Sequence, residues 1–84
     1  GTVIDTRMIL RKAIEHLATG MIICHNHPSG NRRPSKQDVA ITHKIFDSAD
    51  MLDIKLLDHI IVAGKRYFSF ADNKIMPVKE TDNE

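Results

Sequence analysis

Two histidines and an aspartate carry the clearest potential for chemistry in this chain. His25 and His27 are one residue apart, and Asp38 follows after a loop rich in proline, glycine and asparagine. Because side chains alternate between the two faces of an extended segment, both imidazoles point to the same side of the chain. Imidazole nitrogens and carboxylate oxygens are ordinary zinc ligands, so the spacing predicts a mononuclear divalent-metal site, with zinc as the expected ion.

The single cysteine, Cys24, precedes the first of these histidines but is poorly placed to join them. In an extended segment Cys24 and Asn26 face away from the two imidazoles, so we expect Cys24 to be a small buried hydrophobic residue. One cysteine also excludes an internal disulfide and a cysteine-rich zinc finger. A reducing, cytoplasmic setting is the corresponding expectation.

The elements that must position these residues follow from apolar spacing. A first helix is predicted over 6–18, capped at its start by Asp5 or Thr6 and ended by Gly20 in a left-handed conformation. Its apolar stripe consists of Leu10, Ala13, Ile14 and Leu17. The continuous apolar run that follows, Met21-Ile22-Ile23-Cys24, is typical of a strand buried on both faces, and this strand is expected over 21–25.

A second helix is predicted over 35–51, and its core stripe consists of Asp38, Ile41, Ile45, Ala49 and Leu52. A buried strand over 56–63 follows, and Gly64-Lys65 suits a two-residue type II′ turn into a short strand over 67–70. The order helix–strand–helix–strand–strand indicates an α/β layered domain. Its first two strands are expected to be parallel, across a right-handed crossover.

Asp38 allows two interpretations. On the helix face that meets the sheet, an ionised carboxylate is costly unless it is paired or bound to a metal. The alternative is a capping box, in which Asp38 and Ser35 together satisfy the start of the second helix. A short loop returns this helix start to the end of the strand that carries the histidines, where open α/β sheets hold ligands. Two imidazoles and one carboxylate leave one tetrahedral position for water, the arrangement of a catalytic zinc.

The segment HNHPSGNRRPSKQD, residues 25–38, resembles the JAMM (MPN+) metalloprotease signature, His-x-His-Pro followed by Ser-x-x-Asp. Together with LLDHIIV and a closing YFSF, it is similar to the RadC family of bacterial proteins over nearly the whole chain. The resemblance implies a JAMM-type α/β/α fold, related to the layered fold of the cytidine deaminases, with zinc on His25, His27 and Asp38. It also implies that Ser35 helps to hold the oxyanion of a tetrahedral intermediate.

One departure from the family pattern concerns the general base. The JAMM site also uses a glutamate, on a strand before the first helix, to take a proton from the zinc-bound water. The glutamates of this chain are Glu15, expected on the solvent face of the first helix, and Glu80 and Glu84 in the tail. We therefore expect a fragment of a longer protein, truncated at the N-terminus, that binds metal better than it catalyses.

Asp58 and His59 are further candidates, as hydrogen-bond partners of a ligating imidazole. Adjacent residues of a strand face opposite sides, so at most one of them reaches the metal layer. A hydrogen-bonded structural role is the alternative that we favour for this pair.

Composition bounds the remaining expectations. Eighty-four residues, 42% hydrophobic and 27% charged, fit one small globular domain, and no apolar run is long enough to span a bilayer. Residues 1–72 are expected to form this domain and 73–84 a polar tail, loose from 79 onwards. A formal charge of +1 does not support nucleic-acid binding, and the basic group Arg32, Arg33 and Lys36 is expected to be a solvated loop.

Two functions compete on these grounds. The first is a zinc-dependent hydrolase of the metallopeptidase or isopeptidase class, acting on a peptide or protein, of which this chain is an inactive or weakly active part. The alternative is a DNA-repair-associated or protein-binding module whose metal site is structural or vestigial. A missing strand would leave a sheet edge or an apolar face open, so homodimerisation is a further expectation.

Overall fold

The computed structural model describes residues 4–28 and 30–79. Its elements, in chain order, are helix α1 (Thr6–Glu15), strand β1 (Gly20–Asn26), helix α2 (Lys36–Met51), strand β2 (Lys55–Ala63) and strand β3 (Arg66–Ser69). The strands form one sheet in the order β1-β2-β3, in which β1 and β2 are parallel and β2 and β3 antiparallel. This is the predicted α/β layered domain. No helix in the described part of the chain is long and apolar enough to cross a membrane.

Helix α1 ends three residues before its predicted end. Leu17 takes a φ of 50°, and the Ala18 backbone N–H donates to the carbonyl of Ala13 at 2.9 Å, which closes the helix as a Schellman motif. The left-handed residue is therefore Leu17 and not Gly20, which instead begins β1. The predicted stripe is buried only in part, because Leu17 falls outside the helix and Ile14 is half exposed.

Strand β1 is buried on one face only, so the prediction of two buried faces is wrong. It lies at one edge of the described sheet, with β2 as its partner there. Ile22 is 57% exposed and Cys24 is exposed, whereas Met21 and Ile23 are partly buried. Cys24 is consequently not the buried residue that we expected, because its face of the strand is open to solvent.

Helix α2 packs on β2 and begins as predicted, with Ser35 as its N-cap. The buried residues of its inner face are Asp38, Thr42, Ile45 and Ala49. Thr42 is fully buried where the predicted stripe has Ile41, which is only partly buried, and Leu52 lies beyond the helix and is exposed. A polar residue therefore takes a central place between the helix and the sheet.

The hairpin between β2 and β3 has the predicted two-residue turn. Ala63 pairs with Arg66, and Gly64 between them has a φ of 61°, which the first position of a type II′ turn requires. The predicted loose tail lies outside the described residues except for Lys79, whose ammonium pairs with Asp50 at 3.5 Å. The proposed boundary between domain and tail stays a prediction.

Candidate metal centre

Three side chains converge at the carboxyl end of β1. His25 is the second-last residue of β1, His27 directly follows the end of this strand, and Asp38 is in the first turn of α2. The backbone N–H of His27 donates to the carbonyl of Val62 at 2.8 Å, which continues the parallel pairing beyond the end of β1. This bond keeps the segment extended, so both imidazoles stay on the face that α2 covers.

The geometry of these three side chains fits a single ion. His25 Nε2 lies 3.2 Å from Asp38 Oδ1, and His27 Nε2 lies 3.1 Å from Asp38 Oδ2. One ligand atom from each residue lies within 4.8 Å of the others. The side chains are 14%, 20% and 10% exposed, so the group is largely shielded but open on one side. This His-His-Asp group could bind a metal ion.

The capping box and the metal group coexist at Asp38, although the sequence presents them as alternatives. Asp38 Oδ2 accepts a hydrogen bond from the Ser35 backbone N–H at 2.7 Å, and Ser35 Oγ accepts one from the Asp38 backbone N–H at 3.0 Å. Both carboxylate oxygens still face the imidazoles. The cap therefore fixes the orientation of the carboxylate rather than withdrawing it from the site.

A chain of hydrogen bonds runs from His25 into the core. His25 Nδ1 lies 2.8 Å from His59 Nε2, and His59 Nδ1 lies 2.5 Å from Thr42 Oγ1. Thr42 Oγ1 in turn donates to the backbone carbonyl of Asp38 at 2.6 Å. Because a carbonyl can only accept, this last bond uses the one hydroxyl proton, and His59 Nδ1 must donate to Thr42. His59 Nε2 then accepts from the N–H at His25 Nδ1.

The positions of the protons on both candidate ligands follow from these partners. His25 carries its proton on Nδ1, so its lone pair is on Nε2, the atom that faces Asp38. His27 Nδ1 lies 2.8 Å from the backbone carbonyl of Asn31, which also can only accept, so His27 Nε2 carries a lone pair too. Two such nitrogens beside a carboxylate repel one another unless a cation or an extra proton lies among them. This donor set fits a divalent metal ion.

The pKa values of Asp38 and His25 also favour metal binding by the His-His-Asp group. Burial acts to raise the pKa of Asp38, but hydrogen bonding by Ser35 and the two imidazoles outweigh it and leave that pKa below its usual value. Burial is the main cause that lowers the pKa of His25, with the neighbouring His27 adding to the effect and Asp38 opposing it. A carboxylate that is ionised and an imidazole that is neutral are the forms that bind a metal.

His59 contacts the candidate site directly, although the sequence favours a purely structural role. It is fully buried and stacks on Phe70, with ring centroids 4.7 Å apart. Burial, followed by the charge of a protonated His25, lowers the pKa of His59 to about 4, so it is neutral at pH 7. Thr42, which completes the chain, was missed in the sequence. The available signal was its position four residues after Asp38, on the same helix face.

Asp58 lies on the opposite face of β2 and ties the end of the hairpin together. Its Oδ1 accepts hydrogen bonds from the backbone N–H groups of His59, at 2.7 Å, and Ala71, at 2.9 Å, and its Oδ2 accepts one from Ser69 Oγ at 2.6 Å. Asp58 is therefore not part of the His-His-Asp group. Asp58 and His59 therefore face opposite sides of β2, as strand alternation requires. His59 lies at the site, and Asp58 has a structural role.

An irregularity in the sheet decides which of the two faces the site. Met21 pairs with Leu56, but Ile22 pairs with Asp58, so Leu57 is an extra residue on β2. Paired residues of neighbouring strands share a face, and a one-residue shift exchanges the two faces. Without the extra residue, the face of β2 beside His25 would present Asp58.

Ser35, the catalytic candidate, lies beside the site, whereas Glu15 lies away from it, as its predicted place on the solvent face of the first helix requires. Ser35 is exposed beside Asp38, and its Oγ accepts a hydrogen bond from the Asp38 backbone N–H. Glu15, the one glutamate in the part of the chain that the structure describes, pairs with Arg11 at 2.8 Å on the exposed side of α1 and does not join the metal group. Glu80 and Glu84 lie outside the described residues.

Comparison with known proteins places the chain in a family. A family model described as the RadC-like JAB domain matches residues 1–75. A UPF0758 protein of Flavobacterium johnsoniae is 47% identical over 75 residues, which are 89% of this chain and 33% of the relative. A UPF0758 protein of Porphyromonas gingivalis is 45% identical over 73 residues, 86% of this chain and 32% of the relative. The resemblance to RadC is thereby confirmed, and the chain spans about a third of the length of these curated relatives.

Proposed function

Because this chain belongs to the RadC-like JAB domain family, we propose that it is the metal-binding part of a zinc-dependent hydrolase of the metallopeptidase or isopeptidase class. The observation that carries the proposal is the pair of Nε2 atoms of His25 and His27. Their Nδ1 atoms are both committed as donors, and both Nε2 atoms face the Asp38 carboxylate. Such a donor set suits a zinc ion that retains an open position.

Different residues of the chain would hold the metal ion and orient the side chains that bind it. His25, His27 and Asp38 would hold the ion, and bound zinc supplies Lewis acidity that lowers the pKa of water and polarises a carbonyl. His59 and Thr42 keep the proton of His25 on Nδ1, so that Nε2 remains available. The capping bonds of the second helix hold the carboxylate in place beside the two imidazoles.

Ser35 and the general base set the limits of activity. Ser35 Oγ accepts from the Asp38 backbone N–H, which leaves its own proton free to donate to a substrate oxygen as negative charge develops. A general base is not supplied by Glu15, which is engaged with Arg11 on α1. We therefore expect this chain to bind zinc fully and to hydrolyse peptide or isopeptide bonds slowly.

Metal analysis of the purified chain tests the site. We expect about one zinc per chain, retained through gel filtration, and loss of that zinc in a His25→Ala/His27→Ala double variant. A His16→Ala/His43→Ala double variant is the matched control, since both of these histidines are exposed on or beside the helices. Stoichiometric zinc in the His25→Ala/His27→Ala protein would overturn the assignment.

The hydrolase class has a test of its own. Added formate can stand in for an absent carboxylate base, so cleavage of a peptide and isopeptide mixture by the zinc-loaded chain should rise with formate concentration. Mass spectrometry would count the new termini, with Asp38→Asn as the background. Equal products from the chain and from Asp38→Asn, at every formate concentration, would favour the binding-module alternative.

A further inference from the structure

A cationic cavity of about 530 Å³ lies beside the candidate metal centre. It is lined by Arg32, Arg33, Pro34, Tyr67, Phe68 and Asn73. The sequence predicts the two arginines to be part of a solvated loop. In the structure both arginines are exposed, as that prediction requires, and they also line this open cavity together with Tyr67 and Phe68 of β3.

The sheet connects the floor of this cavity to the site. Phe68 pairs with Ile61, and Ile61 pairs with His25, so the three residues form one row across the sheet. With strands roughly 4.8 Å apart, the backbone of Phe68 lies about 10 Å from that of His25. The ring of Phe68 meets Phe70 edge to face at 5.7 Å, and Phe70 stacks on His59. Cavity and metal group therefore share one continuous wall.

The loop connects the roof of the cavity to the site as well. Asn31 accepts a hydrogen bond from His27 through its backbone carbonyl, at 2.8 Å, and one from the Arg33 backbone N–H through its side chain, at 3.0 Å. Asn31 thus orients the imidazole of His27 and also holds the backbone of Arg33 in place. Pro34 then fixes the path of the chain into Ser35 and α2.

The positive charges of Arg32 and Arg33 are not neutralised by a carboxylate among the lining residues of the cavity. Among the described residues the arginines paired with a carboxylate are Arg7, with Asp5, and Arg11, with Glu15. Arg32 and Arg33 line the cavity without such a partner there, and no carboxylate is among the lining residues. Two like charges at one cavity repel each other, and an anion bound in the cavity relieves that repulsion. Arginine is also the side chain best shaped to grip a carboxylate with two parallel hydrogen bonds.

We propose that this cavity is a substrate subsite that binds a carboxylate of a peptide, and its Phe68 wall lies about 10 Å, backbone to backbone, from His25. The proposal rests on the hydrolase function and deepens it by naming an acidic peptide as the substrate class. A nucleic acid fits less well, because its binding draws on an extended basic surface, whereas this chain has a formal charge of +1 and two arginines in the cavity. The carboxylate can come from an acidic side chain or from a peptide C-terminus.

Three small peptides separate these sources. They are N-acetyl-Ala-Glu-Ala amide, N-acetyl-Ala-Gln-Ala amide and N-acetyl-Ala-Ala-Ala free acid, titrated into the isotope-labelled, zinc-loaded chain and followed by NMR. We expect one of the two acidic peptides to shift the guanidinium signals of Arg32 and Arg33 and the amide of Phe68. The glutamine peptide should bind at least tenfold more weakly. The tighter of the two acidic peptides identifies the source of the carboxylate.

Variants test whether the arginines carry the effect. Arg32→Gln/Arg33→Gln should weaken binding of the preferred peptide at least tenfold, and the fold should persist because both residues are exposed in a loop. Arg66→Gln is the control for the loss of an arginine elsewhere, since it removes one of the two charges lost in the double variant from an exposed position outside this cavity. Affinity should be unchanged in this control.

Several outcomes would overturn the subsite. They are equal binding of the glutamine peptide, equal loss in Arg66→Gln, and tighter arginine-dependent binding of a single-stranded 12-nucleotide DNA than of either peptide. Zinc content measured on the same samples separates this proposal from the one on which it rests. Bound zinc without carboxylate selectivity contradicts the subsite alone, whereas selective peptide binding by a chain that holds no zinc contradicts the hydrolase function.

Discussion

The imidazole of His25 donates a hydrogen bond from Nδ1 to Nε2 of His59, with the two nitrogens 2.8 Å apart. The direction of this bond is set at its far end, where Thr42 gives its proton to the carbonyl of Asp38. A helix carbonyl thereby determines which nitrogen of His25 is free to bind a metal. The relation links the Nε2 lone pair of His25 to two residues outside the His-His-Asp group.

Removing the partner of His25 should weaken metal binding. We expect His59→Leu to lower zinc affinity about 10- to 100-fold, because His25 would no longer be held in one tautomer and orientation. Thr42→Val, which has nearly the same shape, should lower it by a smaller factor in the same direction. Competition with a chromophoric chelator measures both. Asp58→Asn is the control, and unchanged affinity in both folded variants would contradict the role given to this chain of bonds.

Loss of the Asp58 carboxylate should affect stability and not the metal. Its three hydrogen bonds join β2 to Ser69 and to the turn at Ala71, so Asp58→Ala should lower the free energy of unfolding by roughly 2–3 kcal/mol. Asp47→Ala, an exposed position on α2, should change it by less than about 0.5 kcal/mol. Urea denaturation measures both. A loss of zinc affinity in folded Asp58→Ala, matching that of His59→Leu, would count against this separation.

The cap at Ser35 should be worth a measurable part of the stability. Ser35→Ala leaves the Asp38 backbone N–H without its acceptor and should lower the free energy of unfolding by about 1 kcal/mol, whereas Ser35→Asn should restore most of it. Ser48→Ala makes the same change within α2, where the hydroxyl bonds the Lys44 carbonyl, and should be close to neutral. Denaturation in the presence of a chelator isolates the cap from the metal. Equal stability of Ser35→Ala and the unchanged chain would contradict the prediction.

The metal-free chain should lose stability as the pH falls below about 6.5. The pKa of His59 is lowered from 6.5 to about 4 in the folded state, so between these values the unfolded chain binds a proton that the folded chain does not. The free energy of unfolding therefore rises with pH across this window and is highest above it. His25, whose pKa is also lowered, acts in the same direction.

Urea midpoints at pH 7.5, 6 and 5 measure this slope. His59→Gln has no proton to bind and should show a smaller slope, while His43→Gln, at an exposed position, should keep the full one. The same slope in His59→Gln as in the unchanged chain would mean that other groups account for the pH dependence.

Local patterns in the sequence determined the metal group and most of the elements. The period of two in a strand places His25 and His27 on one face, and the interval from Ser35 to Asp38 produces the cap that orients the carboxylate. These relations span a few residues, so they depend on local backbone geometry alone. The helix ends were less predictable, because a left-handed Leu17 closes α1 where a glycine was expected.

The tertiary structure decided what surrounds the group. The extra residue Leu57 shifts the pairing of β2 against β1 and turns His59, rather than Asp58, toward His25. The sequence of β2 alone cannot show this. A residue is extra only relative to the partner strand, and the pairing with β1 defines the register. The same holds for the cavity of Arg32 and Arg33, which exists because the loop after β1 comes to lie against β3. The candidate ligands are therefore determined by short sequence intervals, and the residues that support them are determined by pairing between distant segments.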